Sequence, residues 1–337
     1  MSASNRLFSG IQPSGALHLG NYFGAVRNWI SLQEKYESFI CIVDYHTLSG
    51  DYSPKDLPKL TLEMALDLLA CGVDPEKTVL FVQSHLPEHA ELCWILSAYT
   101  SYGDLTRMTQ FKEKAQRAQF IKAALFNYPV LQAADILLYK ASHVPVGEDQ
   151  IQHLELVRDV TKRFNQAVGK TCFPEVKPIV SKGARIMSLA NPETKMSKSL
   201  GEKHYIGLME DLKSIEKKVK SAVTDVGLQE GETMSPGVAN LFTLLELCQE
   251  SLGEEKLRQE IEQLRVEHGS GRLRYSDLKE VLYHALANLL KPIQDRRRHL
   301  QVKDAEKVLR QGRERAKSIA EKVIKEVRAL VGLLPQK

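Results

Sequence analysis

The feature that most constrains the fold is an alternation. From the start of the chain to about residue 185, short β-rich runs are separated by amphipathic stretches of helical length. Leu7-Phe8-Ser9-Gly10, Phe39-Ile40-Cys41-Ile42-Val43-Asp44 and Thr78-Val79-Leu80-Phe81-Val82-Gln83 read as buried strands, because they are mostly apolar runs of strand length. Gly20 to Tyr36, Lys55 to Cys71, Glu88 to Tyr99 and Ile151 to Phe164 instead carry apolar residues at helical spacing. In the last of these, Leu154, Val157, Val160 and Thr161 share the inner face. Strand, helix, strand, helix predicts an α/β fold: a doubly wound parallel sheet, Rossmann-like, with helices on both faces.

After about Lys203 the pattern becomes almost wholly helical, punctuated by Pro236-Gly237 and Gly269-Ser270-Gly271. The last stretch sets Ala305, Val308, Leu309, Ala316, Ile319, Ala320, Val323, Ile324, Val327 and Leu330 at intervals of three and four. That spacing predicts one long amphipathic helix, whose apolar stripe returns to the α/β body. The 337 residues, 43% of them hydrophobic, suffice for a large core with an appendage. No apolar run approaches the length of a membrane span, and the start Met1-Ser2-Ala3-Ser4-Asn5-Arg6 is too polar for a signal peptide. A soluble cytoplasmic protein is therefore expected.

Cys41, Cys71, Cys93, Cys172 and Cys248 are scattered. Metal and redox centres draw sulfurs together at close spacing, so reduced, packed thiols and no metal site are expected. The net charge of +4 is unevenly spread: Lys291 to Arg328 holds thirteen Lys or Arg against six Asp or Glu. Such a segment suits a nucleic-acid footprint, and it suits a solvated helix face as well.

Two short strings carry chemistry. The first strand runs into the turn Gly10-Ile11-Gln12-Pro13-Ser14-Gly15, and His18-Leu19-Gly20-Asn21 follows at the mouth of a helix. In an open parallel sheet, ligands bind beyond the carboxyl ends of the strands, where a helix N-terminus offers free N–H groups to phosphate. Gly20 lacks a side chain, so an adenine or ribose can approach the backbone closely. His18 and Asn21 offer neutral donors to phosphate oxygens whose charge grows during reaction. No dinucleotide glycine fingerprint or Walker lysine is present, and an ordinary helix cap is the plain alternative. The second string, Lys195-Met196-Ser197-Lys198-Ser199, lies at the seam between the α/β and helical regions. Two lysines three apart on a closing loop can deliver cations to a polyphosphate and stabilise the transition state above bound substrate. Its plain alternative is a lysine-rich linker.

Together, in this order and separation, the two strings resemble the signature pair of class I aminoacyl-tRNA synthetases. Over nearly its whole length the chain is similar to the bacterial-type tryptophanyl-tRNA synthetases. Further strings carry that likeness: Phe8 to Gly15; Arg107-Met108-Thr109-Gln110-Phe111-Lys112-Glu113-Lys114; Ala133-Ala134-Asp135-Ile136-Leu137-Leu138-Tyr139; and Val144-Pro145-Val146-Gly147-Glu148-Asp149-Gln150 with the helix His153 to Asn165. The resemblance implies that Gln12, Pro13, Ser14, Gly20, Asn21, Gly147, Glu148, Asp149, Ile186, Lys195, Met196, Ser197, Lys198 and Ser199 hold ATP. It assigns catalytic roles to His18, Lys114, Lys195 and Lys198, with Lys114 reaching the pyrophosphate end. It places L-tryptophan against Asp135, Gln132, His46 and Gln150. Mg²⁺ is expected on the phosphates of ATP, tRNA(Trp) as the acceptor, and a homodimer as the assembly. The implied division is a catalytic domain over 1–204, a helical anticodon-side domain over 205–296, and a C-terminal helix over 297–337 packing back on the catalytic domain.

The residues around Asp135 give that role a physical basis. Val130 to Leu138 is an apolar helical pattern in which an unpaired carboxylate is costly, and an indole N–H is a donor it can accept. A structural ion-pair partner is the alternative. Three positions depart from the bacterial tryptophan pattern: His18 stands where threonine is common, Gln132 where methionine is, and Tyr45 where glutamine is. Gln132 within Tyr128-Pro129-Val130-Leu131-Gln132 is similar to tyrosyl enzymes, which keeps a tyrosyl-tRNA synthetase open. A synthetase-derived RNA-binding or tryptophan-sensing protein without aminoacylation, and another nucleotidyl transferase, are the remaining alternatives.

Overall fold

Five parallel strands form one sheet, in the order β3-β2-β1-β4-β5. They are β1 (Arg6–Ile11), β2 (Glu37–Ile42), β3 (Thr78–Val82), β4 (His143–Val146) and β5 (Lys177–Val180). The structure, a computed structural model, describes residues 5–117, 120–147, 150–180, 186–224 and 234–334. β1 pairs with β2 from Arg6↔Glu37 to Ile11↔Ile42, and β2 with β3 from Ser38↔Thr78 to Ile42↔Val82. The chain winds outward from β1 to β3, then returns to place β4 on the other side of β1, so the winding reverses between β1 and β4. This is the expected doubly wound sheet, with its switch point where such folds bind ligands.

β1, β2 and β3 lie where their apolar runs placed them. β4 and β5 were not legible, because each is four residues long and holds a proline, Pro145 and Pro178. Proline deprives a strand of a ladder donor and weakens the pattern that betrays it. The helical stretch after Gly20 is broken: Leu19–Asn21 is α, Tyr22–Val26 is a π turn, and Arg27–Leu32 is α again.

The chain divides into two compact units. One comprises Met1–Gly15, Asn28–Ser181 and Gln301–Lys337; the other comprises Ala16–Arg27 and Lys182–Leu300. In the first, the helix Val302–Leu330 packs on β3 and on the helices Leu57–Cys71 and Glu88–Ser97. β3 is an outer strand of the sheet, and a covered edge cannot recruit a foreign strand. The approach is close enough to need a glycine: a Cβ on Gly312 would lie 1.8 Å from the Leu80 carbonyl oxygen. Arg315 donates to the Pro75 carbonyl at 2.8 Å, Arg328 pairs with Glu91, and Glu326 accepts from Lys140 and Lys170. Two arginines of the basic segment are thus tied into this unit.

The second unit is built of the helices Leu212–Lys220, Pro236–Leu252, Glu255–Gly269 and Tyr275–His299. Buried Gln294 binds it together by donating to the carbonyls of Leu208 and Glu210, both at 2.8 Å. All five cysteines are buried and free, as packed thiols should be. Among the described residues, no helix is long and apolar enough to cross a membrane.

Gly312→Val forces the helix off the β3 edge, because a backbone carbonyl cannot move aside as a side chain can. It is expected to destabilise the protein by about 2 kcal/mol or more, in the range of overpacked cores. Denaturant unfolding measures this, and an unchanged midpoint contradicts the close approach.

Candidate active site

Both signature strings fall in the second unit, and backbone pairing joins the first of them to the chain just beyond the second. Leu19 N–H donates to the Ile206 carbonyl at 3.0 Å, Leu208 N–H donates to Leu17 at 2.9 Å, and His18 and Gly207 form an antiparallel bridge. The second string is itself the far arm of a hairpin: Met187 bridges Lys195, and Met196 N–H donates to Ile186 at 2.9 Å. Ile186 and Met196 are buried, Lys195 is exposed, and Lys198 reaches back to the Ala16 carbonyl at 3.0 Å. Ser197 caps the short turn Lys198–Leu200 and meets the Ser199 hydroxyl at 2.9 Å.

His18 heads the helix as a reciprocal cap. Its Nδ1 accepts from the Gly20 N–H at 3.1 Å, while Asn21 Oδ1 accepts from the His18 N–H at 3.1 Å. A Cβ on Gly20 would lie 2.8 Å from His18 Cε1, so the glycine makes room for the histidine ring itself. With Nδ1 an acceptor, the proton of the neutral ring resides on Nε2, and the Asn21 NH₂ takes no partner among the described residues. Burial lowers the His18 pKa to about 4, helped by the positive charges of Lys198 and then Lys195. The ring is therefore a neutral donor across the physiological range, beside two cations.

The residues expected to meet tryptophan fall in the first unit. Asp135, on the helix Ala123–Leu137, is buried and stands at the centre of a polar cluster. Its Oδ2 meets His46 Nε2 at 2.8 Å, and its Oδ1 meets Gln83 Nε2 at 2.7 Å and His89 Nδ1 at 2.6 Å. Burial pushes this carboxyl upward, but hydrogen bonds from His46 and His89 outweigh it and hold the pKa at about 2. Gln132, half-buried, sits one turn earlier on the same helix. Gln150 caps the helix Ile151–Ala167, and its N–H donates to Gly147 at 3.0 Å. Gln12 and Ser14 are exposed on the turn after β1, and Pro13 between them is buried. Glu148, Asp149 and the side chain of Lys114 lie outside the described residues.

Sequence reasoning missed three residues. Gln83 follows β3 directly and is fixed in orientation by accepting the Tyr45 N–H at 3.1 Å. His89 is wholly buried. Asn240, on the helix Pro236–Leu252, grips the hairpin that carries the lysines: it accepts from the Met187 N–H and donates to the Met187 carbonyl, both at 3.0 Å. Asn240 is a polar residue within an apolar run, the signal that also marks Asp135, whereas Gln83 follows such a run and His89 stands among charged neighbours.

NMR titration of His18 is expected to give a midpoint near 4 rather than 6.5. Lys195→Ala/Lys198→Ala raises that midpoint only part of the way, since burial is the larger cause. A wild-type midpoint near 6.5 contradicts the neutral ring.

Comparison with known proteins agrees with this arrangement. A family model of class I tRNA synthetases (W and Y) matches residues 2–291. The tryptophan–tRNA ligase of Caldanaerobacter subterraneus subsp. tengcongensis is 44% identical over 336 residues, covering 98% of each chain. The solved tryptophanyl-tRNA synthetase of Mycoplasma pneumoniae is 34% identical, with a TM-score of 0.87 and 98% of both chains covered. That of Campylobacter jejuni, complexed with ADP and tryptophan, is 32% identical with a TM-score of 0.82, covering 97% of this chain and 100% of its own. The chain belongs to the class I tRNA synthetases of the tryptophan and tyrosine family, and within it to the bacterial-type tryptophanyl-tRNA synthetases.

Proposed function

We propose that this protein is a tryptophan–tRNA ligase: it activates L-tryptophan with ATP and transfers it to tRNA(Trp). The observation that carries the reading is the buried, ionised Asp135 in a chain that also brings a neutral His18 beside Lys195 and Lys198. The Campylobacter jejuni relative, solved with ADP and tryptophan, supports the same pair of ligands here.

In the first step the tryptophan carboxylate attacks the α-phosphorus of ATP, the bond to the β-phosphate oxygen breaks, and pyrophosphate leaves. In the second, a ribose hydroxyl of the terminal adenosine of tRNA attacks the activated carbonyl, and AMP leaves with the electron pair of the broken bond. No covalent enzyme intermediate is needed, so positioning and electrostatics supply the rate. His18 Nε2–H donates to a phosphate oxygen without competing for its proton, because the ring is neutral. Lys195 and Lys198 bring cations to the departing pyrophosphate, and Lys114 adds a third. Gln12, Pro13, Ser14, Gly20, Asn21, Gly147, Glu148, Asp149 and Ile186 hold the nucleotide, which enters with Mg²⁺ on its phosphates. Asp135 Oδ2, which takes one donor among the described residues, accepts the ring N–H of tryptophan. Gln132, His46 and Gln150 complete that pocket.

The helical segment 205–296 meets the anticodon side of tRNA, with the catalytic domain over 1–204 and the returning helix within 297–337. The ligase acts as a homodimer in the cytoplasm.

Pyrophosphate exchange into ATP, assayed with each amino acid and no RNA, is expected to proceed with tryptophan. Exchange with tyrosine alone overturns the substrate, and exchange with no amino acid overturns activation. Lys195→Ala/Lys198→Ala is expected to slow activation by about 100-fold or more, the usual loss when transition-state donors are removed, with little change in tryptophan affinity. Unchanged activation contradicts the role of the loop.

A further inference from the structure

The cluster around Asp135 extends one residue further into the core. His89 Nε2 lies 2.7 Å from the hydroxyl of Tyr139, and the Tyr139 ring is held by one phenylalanine from each of three strands. Phe8 of β1 stacks on it at 5.7 Å, Phe39 of β2 stacks at 4.9 Å, and Phe81 of β3 meets it edge-on at 5.3 Å. Phe8 and Phe39 are register partners across β1 and β2, so the pairing of the sheet itself fixes where this ring stands. Tyr139 and His89 are both wholly buried.

Proton placement follows from the chain of contacts. Burial pushes the Tyr139 phenol well above its ordinary range, so it remains protonated, and its hydroxyl holds His89 Nε2. The ionised carboxylate can only accept, so His89 carries a proton on Nδ1, which faces Asp135 Oδ1 at 2.6 Å. Gln83 reaches the same oxygen, and its own carbonyl is occupied by the Tyr45 N–H. Oδ1 is therefore claimed by two oriented donors, and the carboxylate cannot rotate without losing both. Oδ2 is held toward His46 and takes that one donor among the described residues.

We infer that His89, steered by Tyr139, is a positioning residue for amino-acid selection: it fixes the rotation of the Asp135 carboxylate so that Oδ2 accepts a ring N–H. The inference rests on the proposed function, and it assigns a role to two residues that never touch the substrate. Specificity for a ring N–H then originates in the aromatic packing of the sheet and passes through two hydrogen bonds to the carboxylate. A site built around a fixed acceptor rejects an isostere lacking the donor, because the acceptor is then left unpaired.

The test compares L-tryptophan with its isostere carrying sulfur in place of the ring N–H, by kcat/KM in pyrophosphate exchange. The wild type is expected to favour tryptophan by about 100-fold or more, as sites that hydrogen-bond a substrate group do. His89→Leu and Tyr139→Phe are expected to shrink that preference by about tenfold, the size of one lost buried hydrogen bond. His89→Asn, which retains a donor at the Nδ1 position, is expected to restore most of it. The KM for ATP reports folding, and Tyr139→Phe, which removes a single oxygen, keeps the test open where His89→Leu does not fold. A preference unchanged in Tyr139→Phe, or equal losses for both amino acids, overturns the inference while leaving the function intact. A wild type that treats both amino acids alike overturns the reading of Asp135 on which the inference rests.

Discussion

A carboxylate buried in an apolar core is the constraint around which the first unit is organised. Stripped of partners, an ionised Asp135 would cost several kcal/mol, and it would take up a proton rather than stay charged. Hydrogen bonds from His46 and His89 hold it ionised, and Gln83 adds a third donor, each from a different place in the fold. His46 comes from the helix Asp44–Thr47 just beyond β2, Gln83 from directly after β3, and His89 from the helix Glu88–Ser97. Those donors converge only if β2 and β3 end level with each other and the following turns leave in the right directions. The register from Ser38↔Thr78 to Ile42↔Val82 supplies that alignment. The edge of β3 is in turn sealed by the helix Val302–Leu330, which can approach only at Gly312.

The same physics is used in the opposite sense at His18. Burial and two nearby lysines keep that ring neutral, whereas burial of Asp135 is overridden by donors aimed at its oxygens. A neutral histidine can donate to a phosphate oxygen and then release it, while an ionised carboxylate selects a ligand by what that ligand can donate. On the proposed reading, the first group serves the phosphates and the second the amino acid. The two strings near His18 and Lys195 therefore speak to ATP chemistry and leave the choice of amino acid to the Asp135 cluster.

Much of this was legible in the sequence, for physical reasons. β1 to β3 are apolar on both faces, so their runs stand out; β4 and β5 are short and each holds a proline, so theirs do not. The long final helix announces itself because its stripe must pack, yet the reason for Gly312 within it needs the Leu80 carbonyl to be seen. His18, Lys195 and Lys198 were singled out by the two signature strings, and Asp135 by the resemblance together with its apolar helical surroundings. The partners of Gln83, His89 and Asn240 are distant in the chain, and only folding shows what each one holds. The closeness of the two signature strings was also beyond the sequence, since it depends on residues 206–208 pairing with 17–19.

The most direct test of the central claim observes the hydrogen bond itself. Tryptophan labelled with ¹⁵N at the ring nitrogen is bound to the protein, and its ring N–H is followed by NMR in the wild type and in Asp135→Asn. An ionised acceptor at Asp135 predicts a ring proton that moves well downfield on binding to the wild type and lies near its free position with Asp135→Asn. A ring proton that is unshifted in the wild type, or equally shifted in both proteins, contradicts the account.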